Sequence, residues 1–267
     1  MDWGLILRIS LLGLVAGLAC SAAGAATAND LLNFKILKLE GNSVRWQKTA
    51  DDQQAPVVTY SLVAGTVEFP RARNCRKMTS LDGLTTASRV ATAAVREEVA
   101  AAFAMWQAVA GITFREAPDA SAADILIGAQ VEPEGWAFAD VFYDAQSPER
   151  VKPISRSLIC LNPGKGWKIG FDGDLRTYDL RYTIAHEIGH AIGLDHPNGA
   201  GAIMGYRYEE RFRQLQPGDV QGAMELYGRR QPTEFAADDD AAQAASRADA
   251  GRASQSLGTR ALNARSH

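Results

Sequence analysis

One short stretch constrains this chain more than any other: residues 186–196 read His-Glu-Ile-Gly-His-Ala-Ile-Gly-Leu-Asp-His. Positions four apart lie on the same face of a helix, so His186 and His190 can direct two imidazoles at one ion. His196 lies six residues beyond His190, too far along a straight helix to reach the same point. The helix must therefore stop and the chain turn back, and Gly193 stands where a left-handed residue would end it at little cost.

The residue types in this stretch indicate a catalytic metal centre. Three histidine ligands, with the fourth position left to water, form a catalytic zinc arrangement, whereas closed four-ligand sites are structural. Glu187 follows the first histidine and can take a proton from a zinc-bound water that attacks a peptide carbonyl. The same glutamate can hand that proton to the leaving amine. The chain has four histidines, and the spacing of three of them favours a metal site over solvent-facing or core histidines.

The pattern His-Glu-x-x-His-x-x-Gly-x-x-His is typical of the metzincin zinc metallopeptidases, and the chain resembles this clan. The resemblance implies a zinc-dependent endopeptidase that hydrolyses peptide bonds of extracellular or envelope proteins. Its single catalytic zinc would be held by His186, His190 and His196, with Glu187 as the catalytic residue. The resemblance also implies a methionine in a tight turn beneath the metal, a place that Met204 fits without being a ligand.

Within the clan the chain looks most like a matrixin of bacterial type, a relative of the matrix metalloproteinases. Four short blocks carry this likeness: Val58–Leu62, Ala101–Trp106, Ala123–Ile127 and Leu215–Gly228. The resemblance implies an α/β (α+β) metzincin zincin fold, with a small twisted mixed sheet, two long helices and a C-terminal helix below the cleft. An extended substrate would lie antiparallel along an edge strand, which we place at Trp136–Asp140.

Two features resemble neighbouring families. Pro197 follows the last histidine, as in the serralysins, and Tyr206 stands two residues after Met204, as in the serralysins and astacins. In those families the tyrosine can approach the zinc, so Tyr206 is a candidate oxyanion donor or fifth ligand. A wall-forming or core role for Tyr206 stays open. By the same analogy, the charged segment Arg207–Arg211 is expected to border the primed side of the cleft.

The chain differs from the animal matrix metalloproteinases in one respect. They carry a second, structural zinc site, which needs three more histidines. Only His267 is left for such a site, so we expect one zinc. Residues 171–174 read Phe-Asp-Gly-Asp and are a candidate Ca2+ site, because hard cations favour clustered carboxylates and carbonyls. A solvated turn is the alternative for this segment.

The three cysteines bear on export and latency. If the N-terminal segment with Cys20 is removed, Cys75 and Cys160 remain, and two cysteines in an exported protein are a natural disulfide pair. Two unrelated buried thiols are the alternative. Residues 70–75 read Pro-Arg-Ala-Arg-Asn-Cys, the nearest match to the Pro-Arg-Cys-Gly motif of inhibitory pro-segments. This segment lies after the first predicted strand and lacks the glycine.

Composition divides the chain into four parts. Residues 1–28 resemble a signal peptide, with a basic residue, an apolar run and small residues suited to cleavage, so we expect a secreted or periplasmic protein. A retained membrane anchor and lipidation of Cys20 are the alternatives. Residues 29–55 form an N-terminal extension or a short pro-segment, and 56–228 the metzincin catalytic domain. Residues 229–267 contain almost no large apolar side chains and are expected to be a disordered low-complexity tail.

Charge narrows the class of partner. The formal net charge is −3, and the isoelectric point is about 5.9. Such a balance gives no reason to expect nucleic acid or an anionic membrane surface as a partner. We therefore expect protein or peptide substrates, a membrane only through the N-terminal segment, and a monomer.

Periodicity of the apolar residues predicts the secondary structure that surrounds the motif. Helices are predicted over 88–110, 178–192 and 217–227. Strands are predicted over 57–63, 112–114, 124–128, 135–142 and 157–161. The segment 71–87 is predicted to be a loop.

Overall fold

A computed structural model describes residues 33–47 and 55–231. The predicted signal peptide, Cys20, His267 and the tail from residue 232 lie outside the described residues. Within the two described ranges, no helix is both long and apolar enough to cross a bilayer.

The described residues form short strands and four helices. The strands are β1 (Lys35–Ile36), β2 (Lys38–Leu39), β3 (Asn42–Arg45), β4 (Val57–Leu62), β5 (Val67–Glu68), β6 (Lys77–Thr79), β7 (Thr113–Glu116), β8 (Ile125–Gln130), β9 (Ala137–Tyr143), β10 (Lys152–Leu161), β11 (Trp167–Lys168), β12 (Tyr178–Asp179) and β13 (Leu194–Asp195). The helices are α1 (Asp82–Ser88), α2 (Thr92–Gln107), α3 (Leu180–Ala191) and α4 (Pro217–Tyr227).

A mixed sheet forms the centre of the fold. Strands β7, β4, β8 and β10 lie side by side in parallel. Strand β9 pairs antiparallel with β10 and has no second partner strand among the described residues, so it is an edge strand. The predicted edge strand at Trp136–Asp140 therefore falls at the beginning of β9. The predicted mixed α/β fold with a mixed sheet is confirmed.

Helices α2 and α3 cover one face of this sheet and bury the main core. Trp106 of α2 is fully buried, and its Nε1 donates to the carbonyl of Ala185 in α3 over 2.9 Å. Phe103, one turn earlier, stacks on Tyr60 of β4 with ring centroids 4.0 Å apart. The apolar positions spaced three and four residues apart in α2 thus hold α3, the helix of the histidine motif, against the sheet.

Three predicted elements have wrong boundaries. The segment 71–87 was expected to be a loop, but it contains β6 and most of α1. The helix expected over 88–110 spans only Thr92–Gln107, and Arg89, with a left-handed φ of 54°, ends the separate helix α1 before it. The predicted strand 157–161 also begins earlier, at Lys152, because its first two residues pair with β3 from the N-terminal extension.

A buried ion-pair network fixes the beginning of α3. Asp179, with no exposed side-chain surface, caps the helix by accepting from the Tyr182 amide over 2.8 Å. Arg213 donates from Nε to both Asp179 oxygens at 3.0 Å, and from Nη2 to Glu98 at 2.7 Å. Arg181 completes the network with two hydrogen bonds to Glu98. The segment after Met204 is thereby tied to α2 and α3.

Replacing Arg213 by methionine is expected to lower the free energy of unfolding by about 2–4 kcal/mol, because the buried Asp179 carboxylate loses its cation. The loss falls below that of a fully buried pair, since the Arg213 side chain is 25% exposed. Urea denaturation followed by circular dichroism measures it. Arg211→Met is the matched control, because Arg211 is 71% exposed and 3.7 Å from Glu209. Equal midpoints for the two variants would contradict the assignment.

Candidate metal centre

The histidine motif begins on α3 and ends on a turn that folds back. Helix α3 ends at Ala191, and Gly193 adopts a φ of 104°, a conformation that side chains other than glycine rarely adopt. A second constraint acts on the same glycine, since a Cβ there would collide with the main-chain carbonyl of Val44. The predicted helix end at Gly193 is therefore present, and glycine is required for both conformation and space.

The turn brings the three histidines of the motif together. Nε2 of His196 lies 3.0 Å from Nε2 of His186 and 3.1 Å from Nε2 of His190. The rings of His186 and His190 are nearly perpendicular to each other. Among the described residues, these three side chains form the one group able to share a metal ion.

The hydrogen bonds of the other ring nitrogens show that this group fits a metal. His186 Nδ1 lies 2.7 Å from the carbonyl of Ile203, and His190 Nδ1 lies 2.8 Å from the carbonyl of Leu194. A carbonyl only accepts, so each Nδ1 carries the proton and each Nε2 presents a lone pair. His196 Nε2 lies within 3.1 Å of both of these nitrogens, and such separations are near those of ligands that share one tetrahedral zinc.

Desolvation at the bottom of the cleft keeps these imidazoles neutral. It lowers the pKa of His186 well below its ordinary value and that of His190 to about 4, with neighbouring histidines adding to both shifts. It also lowers the pKa of His196. Neutral imidazole is the form that binds metal ions.

Glu187 is buried on the inner side of the same cleft, with 6% of its surface exposed. Burial, together with the nearby Asp140 carboxylate, raises its pKa to about 8. Asp140 lies in β9 and is held by the amides of Asn74 and Cys75, each at 2.8 Å. The site thus contains two nearby carboxylates, Glu187 next to the histidines and Asp140 on the neighbouring strand β9.

Met204 lies beneath the histidines, in the turn where the sequence places it. It is 2% exposed, and its sulfur packs against Gly189, between the two helical histidines. The buried Asp219 carboxylate accepts from the amides of Ile203 and Met204 at 2.8 and 3.0 Å. Sequence reasoning missed Asp219, although Gln216 three residues earlier forms a capping box with it at the start of α4.

The cleft has a volume of about 700 Å³ and runs past the histidines and Glu187 along β9. Tyr206 lines it and is 80% exposed, with its ring 5.2 Å from that of His196 and perpendicular to it. Trp136, Tyr178 and Tyr208 form a stacked aromatic wall, with successive ring centroids 3.6 and 4.1 Å apart. Leu37 and Leu39 of the N-terminal extension also line the cleft.

Comparison with known proteins agrees with this geometry. The family model described as matrixin matches residues 77–228, more than half of the chain. The chain belongs to the matrixin family. Matrixins use a catalytic zinc, and the three clustered histidines form a donor set that fits this metal.

Individual relatives match about half of this matrixin. Matrix metalloproteinase-19 of Mus musculus is 31% identical over 160 residues, which cover 52% of this chain and 26% of that protein. Stromelysin-3 of Rattus norvegicus is 32% identical over 149 residues, covering 52% and 28%. The hatching enzyme of Paracentrotus lividus is 29% identical over 147 residues, covering 50% and 22%. The chain therefore spans about a quarter of the length of these relatives.

The candidate calcium segment of this matrixin contains a cation of its own. Nζ of Lys168 contacts the Asp172 carboxylate and lies 2.8 Å from the carbonyl of Asp174 and 2.5 Å from Glu210. The Asp174 carboxylate pairs with Arg176 at 2.9 Å. The ammonium group occupies the place among these oxygens that Ca2+ would take, so calcium could bind there only by displacing Lys168.

The matrixin contains a disulfide between Cys75 and Cys160. Both residues are fully buried in a second apolar cluster, which also includes Leu158 of β10. The bond anchors the segment that holds Asp140 to the strand next to β9. In this state Cys75 has no free thiol to serve as an inhibitory metal ligand.

Proposed function

We propose that this matrixin is a zinc-dependent endopeptidase that hydrolyses internal peptide bonds of extracellular or envelope proteins. The observation that carries the proposal is the convergence of three histidine Nε2 atoms beside a buried glutamate, in a cleft open along an unpaired edge strand. The proposed metal ligands are His186, His190 and His196. Gly193 allows the turn that brings His196 to the other two histidines, and Met204 packs beneath them.

Glu187 is the proposed general base. When bound, zinc supplies Lewis acidity that polarises a carbonyl and lowers the pKa of water. Glu187 accepts the proton of the attacking water and then donates it to the nitrogen of the departing amine. Its raised pKa suits a group that must both accept and donate a proton near neutral pH.

The substrate backbone would pair antiparallel with β9, from Trp136 to Asp140. An edge strand presents unpaired amides and carbonyls, so an extended peptide can add to it with main-chain hydrogen bonds. This orientation puts residues after the scissile bond near the aromatic wall of Trp136, Tyr178 and Tyr208. The exposed Tyr206 can turn towards the scissile carbonyl, and we assign it the candidate role of oxyanion donor.

We propose that the protein is exported, and we keep a monomer as the expectation. A buried disulfide suits an oxidising compartment, as does the predicted signal peptide at 1–28. The proposed catalytic unit covers residues 56–228, and the structure continues the packing to Arg230, which is 5% exposed. An exported enzyme would meet secreted or periplasmic proteins as its substrates.

Treating the purified protein with a strong chelator is expected to abolish cleavage of a denatured protein substrate. One equivalent of Zn2+ is expected to restore it, because the histidines are neutral and main-chain hydrogen bonds fix the turn that carries His196. Equal amounts of Ca2+ are the control and should restore nothing, since oxygen ligands suit Ca2+ better than imidazoles. Activity that survives complete metal removal would contradict the proposed function.

A further inference from the structure

Residues 33–47, here termed the N-terminal strap, pair with the turn that carries the third histidine. Strand β1 of the strap is antiparallel to β13, with Lys35 opposite Asp195 and Ile36 opposite Leu194. The Leu37 amide then donates to the Gly193 carbonyl over 2.8 Å. The strap is thus bonded along the turn from Gly193 to the residue before His196.

The far end of the strap holds the other side of the turn. Trp46, 7% exposed, donates from Nε1 to the Ala191 carbonyl over 3.0 Å. Its own amide donates to the hydroxyl of Tyr227, which donates to the Ile192 carbonyl over 2.6 Å. The last carbonyls of a helix lack partners within the helix, and here the strap and α4 satisfy two of them.

An ion pair connects the strap to His196 itself. Asp195 Oδ1 accepts from the His196 amide over 2.8 Å, and Asp195 Oδ2 pairs with Lys35 Nζ at 2.6 Å. The turn has little internal structure, since β13 is only two residues long and pairs with β1. The main-chain position of the third histidine therefore depends on a segment about 150 residues away in sequence.

We propose that the strap is a permanent part of the catalytic unit and positions His196 for metal binding. This inference rests on the proposed function only in taking His196 as a zinc ligand. The proposal stands against the alternative that this segment is a pro-segment removed on maturation. Removal of residues up to 47 would abolish both the β1–β13 pairing and the Trp46 hydrogen bond to Ala191. The strap lies outside the region that the matrixin family model matches.

The test compares two substitutions of Leu37 in the full chain, each combined with Glu187→Gln to prevent self-cleavage. L37P removes the amide that donates to Gly193, whereas L37A keeps the amide and removes only the side chain. Release of bound zinc to a chromophoric chelator is followed in time. We expect L37P to release zinc at least about 10-fold faster than the Glu187→Gln parent, as for other groups that orient metal ligands. L37A should stay within about twofold of that parent.

Two further variants separate positioning from general destabilisation. Val58→Ala weakens the core at β4, far from the turn, and should release zinc at the parent's rate. Trp46→Phe removes the strap's donor to the Ala191 carbonyl, which Ser157 Oγ also contacts at 3.2 Å, and should accelerate release. This variant keeps the proposal testable if L37P does not fold. A folded L37P, or failing that Trp46→Phe, with the parent's release rate would overturn the proposal. So would an active mature protein whose N-terminus, by mass spectrometry, lies after residue 47.

The zinc-release rates are independent of peptide hydrolysis. If the wild-type protein binds zinc but cleaves no protein, the proposed function fails while the zinc-release comparison still decides the role of the strap. If L37P releases zinc at the parent's rate while the wild type cleaves protein, the proposed function stands and the strap proposal fails.

Discussion

Replacing Glu187 by glutamine is expected to lower kcat for peptide-bond hydrolysis by about 10²–10⁴-fold, the usual contribution of a general acid–base group. Glutamine has nearly the same size and can occupy the same buried position, but it cannot accept the proton of the attacking water. Because the three histidines are untouched, the variant should still bind one zinc. Steady-state hydrolysis of an internally quenched peptide, paired with metal analysis, measures both quantities.

Glu225→Gln is the matched control for this variant. Glu225 is an exposed residue of α4 that does not line the cleft, so the same change of charge should leave kcat within about twofold. A Glu187→Gln protein that folds, holds zinc and keeps more than about a tenth of the activity would contradict the base role. Loss of zinc along with activity would instead point to a structural effect.

Replacing both Cys75 and Cys160 by alanine is expected to lower the free energy of unfolding by about 2–5 kcal/mol. The two residues are 85 positions apart, so the bond removes much conformational freedom from the unfolded chain. The native state also loses the covalent link between β10 and the segment at Cys75, whose amides bind Asp140 of β9. Guanidinium denaturation in oxidising buffer measures the change.

Reduction of the wild-type protein provides the control for the disulfide. Unfolded in the presence of reductant, the wild type should show a midpoint close to that of the double alanine variant. The reductant should leave the variant unchanged. Equal midpoints for the oxidised wild type and the variant would show that the bond contributes nothing to stability.

The sequence was sufficient to predict the centre of the site, because the information there is local. The four-residue spacing of His186 and His190 requires a helix, and the six-residue step to His196 requires a turn. The structure has both, with Gly193 at a positive φ. The edge strand was also predictable, because the alternating pattern at its start falls at Trp136–Asp140.

Elements that depend on distant partners could not be predicted. The first two residues of β10, Lys152 and Pro153, pair with β3, more than 100 residues earlier in the chain. Strand β1 is two residues long and exists through its pairing with β13. No local pattern signals such a pairing, since neither segment has an apolar period of its own.

Buried charges were missed for a related reason. In a sequence, an aspartate such as Asp179 or Asp140 reads as a surface residue, because burial without a partner is costly. Here Arg213 supplies the partner for Asp179, and main-chain amides supply it for Asp140. In the candidate calcium segment the clustered carboxylates suggested a metal, and the structure shows that Lys168 pairs with one of them and with a neighbouring glutamate.

The central claim is tested most directly by measuring zinc content and cleavage products on one preparation of the exported wild-type protein. A denatured protein is the substrate, and mass spectrometry locates the new termini. We expect about one zinc per chain, from the single three-histidine group, and new termini at internal positions of the substrate. One zinc per chain without any internal cleavage would contradict the claim and would indicate a binding module that keeps zinc as a structural element.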